Sequence, residues 1–161
     1  MVAGYPESGV SRPEGRRMKT IVVGTDGSPG AKAAVQFAAR EAAAHGATLR
    51  VVASWQVPPA VLVSPEMAAD LFIAIEEEAR AIAAESVALA KSLEPGLEVE
   101  ELVSEGHPGE VLVEQSRHAD LIVVGRRGRG GFAELLLGSV TQHVMHHAAC
   151  PVVIVPPVKE G

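Results

Sequence analysis

The stretch Leu121 to Thr141, LIVVGRRGRGGFAELLLGSVT, constrains this chain more than any other, because a strongly apolar strand empties there into a glycine-rich loop that leads to a helix start. Glycines at 125, 128, 130 and 131 let backbone N–H groups approach an anion with no side chain in the way, and Gly138-Ser139 does the same one element later. Ser139 opens the last helix, whose free N–H groups and positive dipole end suit a phosphate group. Arg126, Arg127 and Arg129 add cations around the rim. Taken alone, the glycines also fit a flexible surface loop. Ser139 with Gln142 matches a capping box, in which the hydroxyl is structural; the two roles can coexist, since backbone N–H groups bind an anion without it.

The rest of the chain reads as strand-turn-helix units around that stretch. Residues 1–17, MVAGYPESGVSRPEGRR, mix Gly, Pro, Ser and charge with no apolar period and are expected to form a loose tail, with Met18 just before the first strand. Thr20 to Gly24 is a β-branched strand, followed by Thr25-Asp26-Gly27-Ser28-Pro29. There Ser28 is the N-cap and Pro29 the first residue of an alanine-rich helix that reaches about His45 and stops at Gly46. Asp26 lies at the carboxyl end of the first strand, where open parallel sheets bind ligands; by itself it reads as a turn residue that bonds its own backbone. Thr48 to Trp55 is the second strand. A long helix is expected from a cap at Ser64-Pro65-Glu66 to Pro95-Gly96, with Leu71, Ile75, Ile82, Leu89 and Leu93 at helical spacing. The third strand, Leu97 to Val103, carries Glu98, Glu100 and Glu101 and belongs at a sheet edge. A short helix from Pro108 to near His118, a strand from Leu121 to Val124, a helix from Ser139 to about His147 and a strand from Pro151 to Val155 complete the pattern. Five strands alternating with four helices require right-handed crossovers in a mostly parallel sheet.

Length and charge narrow the function classes. A chain of 161 residues suits one core. The net charge of −6 argues against a nucleic-acid backbone as main partner, because counterion release needs a basic face. One cysteine, Cys150, leaves no intrachain disulfide to form, which fits a reducing cytoplasm. No apolar run approaches the roughly 20 residues of a membrane span. The expectation is a soluble cytoplasmic protein with no membrane or nucleic-acid partner.

The spacing Gly125, two residues, Gly128, nine residues, Gly138-Ser139 resembles the ATP-binding signature of the universal stress protein family. The likeness runs from about Lys19 to Val155 and includes the ending GSVTQHVMHHAACPVVIV. It implies a single three-layer α/β domain over 18–157, with a short tail at 158–161. It also implies a five-stranded parallel sheet in the order 3-2-1-4-5, with helices on both faces. In the family the nucleotide lies across the carboxyl ends of the first and fourth strands. Carried over by position, Asp26 would hold the ribose or adenine, and backbone near Ser54 would meet the base. Gly125, Gly128, Gly138, Ser139, Val140 and Thr141 would hold the triphosphate. Arg126 and Arg127 are bulkier than the residues expected at their positions, and either strengthen phosphate binding or crowd the loop. The implied ligand is ATP with magnesium bridging its phosphates, in a protein that contributes to stress tolerance by nucleotide-dependent binding. The implied strand order also leaves Val152, Val153, Ile154 and Val155 on a sheet edge, apolar on both faces, which a homodimer paired through that strand would cover.

Two other readings share the fold: a nucleotide-independent dimeric adaptor, and an ATP-using transferase of the adenine-nucleotide α-hydrolase group. The latter carry a serine- and glycine-rich loop after the first strand, which GTDGSPGA matches poorly. The same loop lacks the dinucleotide pattern G-x-G-x-x-G, Gly138-Ser139 lacks the lysine of a P-loop, and no acidic pair accompanies Asp26 to hold magnesium as in receiver domains. His143 and His147, one helical turn apart near Cys150, invite a zinc reading, but histidines in a last turn also suit the helix dipole, and no metal ligand is assigned. No residue in the motifs is placed as a base for hydrolysis, so turnover of ATP is expected to be slow at most.

Overall fold

Alternation along the strands decides how the chain stacks. In β1 (Thr20–Gly24), Ile21 and Val23 join one apolar cluster while Val22 joins another; in β4 (Leu121–Gly125), Leu121 and Val123 join the first, and Ile122 and Val124 the second. A strand with period-two side chains and no polar face needs cover on both sides. The computed structural model, which describes residues 17–59, 65–129 and 136–158 (side chains of 65–67 excepted), shows how that cover is supplied. The helix α1 (Pro29–His45) and α2 (Pro65–Leu93) lie against the first cluster, and α3 (Pro108–Ser116) and α4 (Ser139–His147) against the second. With β2 (Thr48–Trp55), β3 (Val99–Glu105) and β5 (Val152–Val155), the strands form one parallel sheet in the order β3-β2-β1-β4-β5. The α/β fold, its strand order and its layers are therefore those expected. Most of the tail expected at 1–17, the Ser64 cap, Gly130 and Gly131, and all but Val158 of 158–161 lie outside the described residues.

Local chemistry sets the element ends. The Ser28 hydroxyl accepts from the Ala31 N–H at 3.2 Å, Pro29 takes the first helical position, and Gly46 at φ 61° closes α1 in the left-handed region. Several boundaries differ from the sequence expectation, the fifth strand among them, which begins at Val152 rather than Pro151. The third strand begins at Val99, because a turn at Pro95-Gly96, closed by Leu97 N–H to Glu94 O at 3.0 Å, takes up the preceding residues; it then runs on to Glu105 beside Trp55. The α3 helix stops at Ser116, whose hydroxyl donates to Val113 O at 2.6 Å and accepts from Ala149 N–H at 2.8 Å, tying it to the end of α4. The fourth strand extends to Gly125, paired with Val155.

A cleft at the switch point of the sheet

The strand order reverses between β1 and β4, and the crevice at their carboxyl ends is the place where an open parallel sheet leaves room for a ligand. A cavity of about 210 Å³ opens there. Of the residues expected at a site, Asp26, Ser54, Gly125, Arg127, Gly128, Gly138, Ser139, Val140 and Thr141 line it; Arg126 does not.

The floor is made of backbone brought close together. At Gly125 a Cβ would stand 2.8 Å from the carbonyl carbon and oxygen of Gly30, and at Gly30 one would stand 2.6 Å from Arg127 O. Glycine at both positions lets the end of β4 settle on the start of α1. At Gly128 a Cβ would collide with the Asp26 carboxylate, and at Gly138 it would meet Arg127 Cα at 3.3 Å. Asp26 has a definite task in this geometry: Oδ1 accepts from Ser28 N–H at 2.9 Å and Oδ2 from Arg129 N–H at 2.7 Å. It builds its own turn, as a lone Asp there would, and it also pins the glycine loop to the first strand.

The helix begins at Ser139 as expected, but its cap is not the one the capping-box pattern implied. Gly138, extended at φ −70° and ψ 161°, is the N-cap of α4 and supplies no side-chain cap; Ser139 is the first helical residue and is exposed. The capping box with Gln142 does not form, since Ser139 is one position too late to cap, and the Gln142 amide donates to Leu137 O at 3.2 Å instead. Gln142 N–H makes the first bond of the helix, to Gly138 O at 3.0 Å, so the N–H groups of Ser139, Val140 and Thr141 have no partner within the helix. Thr141 is 3% exposed, and its hydroxyl donates to Gly125 O at 2.7 Å. That proton is committed to holding the strand end.

Arg126 is a bridge rather than a rim cation. Its N–H donates to Val155 O and its carbonyl accepts from Gly138 N–H, both at 2.9 Å, and its side-chain Nε is buried without a hydrogen-bond partner among the described residues. Among the described lining residues, Arg127 and Arg129 are the cations and Asp26 is the one carboxylate. Pro108 and Leu112 of α3 also line the cavity and escaped sequence reasoning, as did Thr25, whose hydroxyl pairs with Ser86 Oγ of α2 at 2.9 Å. The one sequence signal for α3 was Gly24, where a Cβ would stand 2.7 Å from Leu112.

The histidines form a separate group, with the rings of His143 and His147 4.6 Å apart and those of His107 and His143 6.1 Å apart. Among the described residues no group of three or more His, Cys, Asp or Glu side chains is arranged to hold a metal ion. Burial, and then the nearby Asp120 carboxylate, push the Cys150 thiol above its ordinary value, which disfavours the thiolate that binds metals. No helix among the described residues is long and apolar enough to cross a membrane.

Comparison with known proteins points the same way as the geometry. The family model described as "Universal stress protein family" matches residues 18–156. A universal stress protein of Thermus aquaticus is 39% identical over 85% of this chain and 98% of its own length. One of Mycolicibacterium smegmatis is 35% identical over 85% of this chain but 45% of its own length, so the chain spans less than half of that relative. Among solved structures, a universal stress protein in complex with cAMP is 33% identical, with a TM-score of 0.65 over 88% of this chain and 99% of that one.

Proposed function

Because the chain belongs to the universal stress protein family, we propose that its cleft binds an adenine nucleotide, ATP with magnesium, and that the protein contributes to stress tolerance by changing its partners when the nucleotide binds. The observation that carries this reading is the first turn of α4. Its three N–H groups without helix partners meet a cavity walled by Gly125, Gly128, Arg127 and Arg129, and its cap residue, Gly138, has no side chain to occupy them. Donors fixed in space and the positive end of a helix suit a phosphate chain. A relative solved with cAMP supports an adenine ligand.

In this reading Ser139, Val140 and Thr141 N–H groups and the two arginines hold the phosphates, and backbone near Ser54 meets the base. Asp26 keeps lone pairs for a ribose hydroxyl while holding the loop. Magnesium would neutralise phosphate charge; among the described lining residues Asp26 is the one carboxylate near which it would lie, and Asp26 already accepts two N–H groups. Among the described lining residues there is no second carboxylate and no histidine to serve as a base, which supports slow hydrolysis and a nucleotide that acts as a ligand. The protein works in the cytoplasm, as a homodimer paired along the apolar edge strand β5 through Val152, Val153, Ile154 and Val155.

Titration calorimetry with ATP and magnesium on the parent and on Gly138→Val tests the site. Gly138 has a φ that any residue adopts, but a Cβ there meets the loop backbone at Arg127 Cα, 3.3 Å away, so a branched side chain crowds the cradle, and the variant's melting temperature is measured alongside to show that it folds. Binding by the parent and none by the variant is expected. Equal binding by both, or no binding by a parent stripped of carried-over nucleotide, refutes the reading and favours the nucleotide-independent adaptor.

A further inference from the structure

One wall cation of the cleft already has an anionic partner on a different layer. Arg129 leaves the glycine loop, passes over Gly27 and ends on α2, where its Nη1 lies 3.1 Å from Glu78 Oε1; the two side chains are 56% and 64% exposed. Ile82, one turn along α2, lies over the same glycine. The α2 helix also carries Glu85, 3.0 Å from Lys32, and Ser86, bonded to Thr25, while Phe72 nearer its start packs edge-on against Trp55 at the end of β2.

We propose that Arg129 is a shared cation whose exchange between Glu78 and the ligand makes the cleft sensitive to the number of phosphates it holds. This rests on the nucleotide reading above. Arg129 lines the same cavity as the first turn of α4, and its backbone is fixed by Asp26, so only its flexible side chain has to turn. An exposed pair of this kind is worth about 0.2–1 kcal/mol, weak enough for a polyphosphate to displace. A triphosphate offers more charge than a monophosphate against the same competing carboxylate, and a nucleoside offers none. Release of Glu78 also removes one of the ties between α2 and the loops of the site. The Trp55–Phe72 contact places the chain's one tryptophan where it reports that loss.

The test measures ATP, AMP and adenosine binding, each with magnesium, for the parent, Glu78→Gln, Arg129→Ala and the double variant, at low and high salt, with Trp55 fluorescence recorded throughout. Glu78→Gln is expected to tighten ATP about two- to fivefold, AMP less and adenosine not at all, with the gain vanishing at high salt. Arg129→Ala should weaken the three ligands in the same order and remove the effect of the second substitution. ATP should shift Trp55 emission beyond whatever shift adenosine causes through the base in the parent, and Arg129→Ala should abolish that difference. Unchanged ATP affinity in Glu78→Gln at low salt, equal tightening of adenosine, or a Glu78 effect that persists without Arg129 overturns the proposal. When the parent binds ATP and Gly138→Val does not, such a result leaves the nucleotide site standing and removes Arg129's role alone; a parent that binds none of the three ligands removes both.

Discussion

Two hydroxyls two residues apart on α4 should fail in opposite ways. Thr141 is 3% exposed and donates at 2.7 Å to Gly125 O, whereas Ser139 is exposed at the first helical position and makes no cap bond. Thr141→Val keeps the shape and the β-branch but removes that donor from the Gly125 carbonyl, which is part-buried at the edge of the cleft. Losing such a hydrogen bond costs about 0.5–1.5 kcal/mol. For a chain of this size each kcal/mol is about 2–4 °C, so Tm should fall by about 1–6 °C. Nucleotide affinity should hold, because the Thr141 N–H is untouched. Ser139→Ala should leave Tm within a degree or so and weaken ATP by roughly ten- to a hundredfold, the worth of one hydrogen bond to a charged group, about 1.5–3 kcal/mol. Calorimetric melting and ATP titration on both variants form the assay. A Thr141→Val protein that melts normally but loses ATP, or a Ser139→Ala protein with full affinity, would refute the division of labour.

Three further outcomes follow from particular residues. Arg127→Ala should weaken ATP at low salt and little at high salt, while Arg126→Ala, outside the cavity wall, should leave affinity alone at both; equal losses from the two would return Arg126 to the site. Val153→Lys with Val155→Lys should convert a dimer to a monomer in sedimentation at micromolar concentration, and a dimer that survives would place the interface elsewhere. A chain beginning at Met18 should melt and bind ATP as the full chain does, which a Tm lowered by many degrees would contradict.

The layers of the fold were legible because the strands state their faces residue by residue: Ile21 and Val23 against Val22, Leu121 and Val123 against Ile122. The start and stop of α1 were legible too, since Ser28, Pro29 and Gly46 each have a local reason to be there. What local pattern could not resolve was direction. Arg126 and Arg127 are neighbours in sequence, yet the first continues the pairing with Val155 while the second faces the cavity. Ser139 and Thr141 look alike in a motif, and only the cap at Gly138 tells which hydroxyl faces the strand end. The contribution of α3 was hidden for a different reason. Pro108 and Leu112 reach the cleft through a crossover packed beside β1, a contact set by tertiary packing and foreshadowed only by the missing side chain at Gly24.

The two borders of the sheet are unlike, and that difference governs how far copies of this chain could add to one another. At one border β5 is short and apolar; at the other β3 exposes Glu100, Glu101 and Glu105, with Arg50 paired to Glu100 at 2.8 Å. Joining β5 of one molecule to β3 of the next would repeat without end and grow a fibre, and the glutamates oppose that contact by requiring charge to be stripped of water. Joining β5 to β5 leaves only the glutamate borders outside, so growth ends after a single addition.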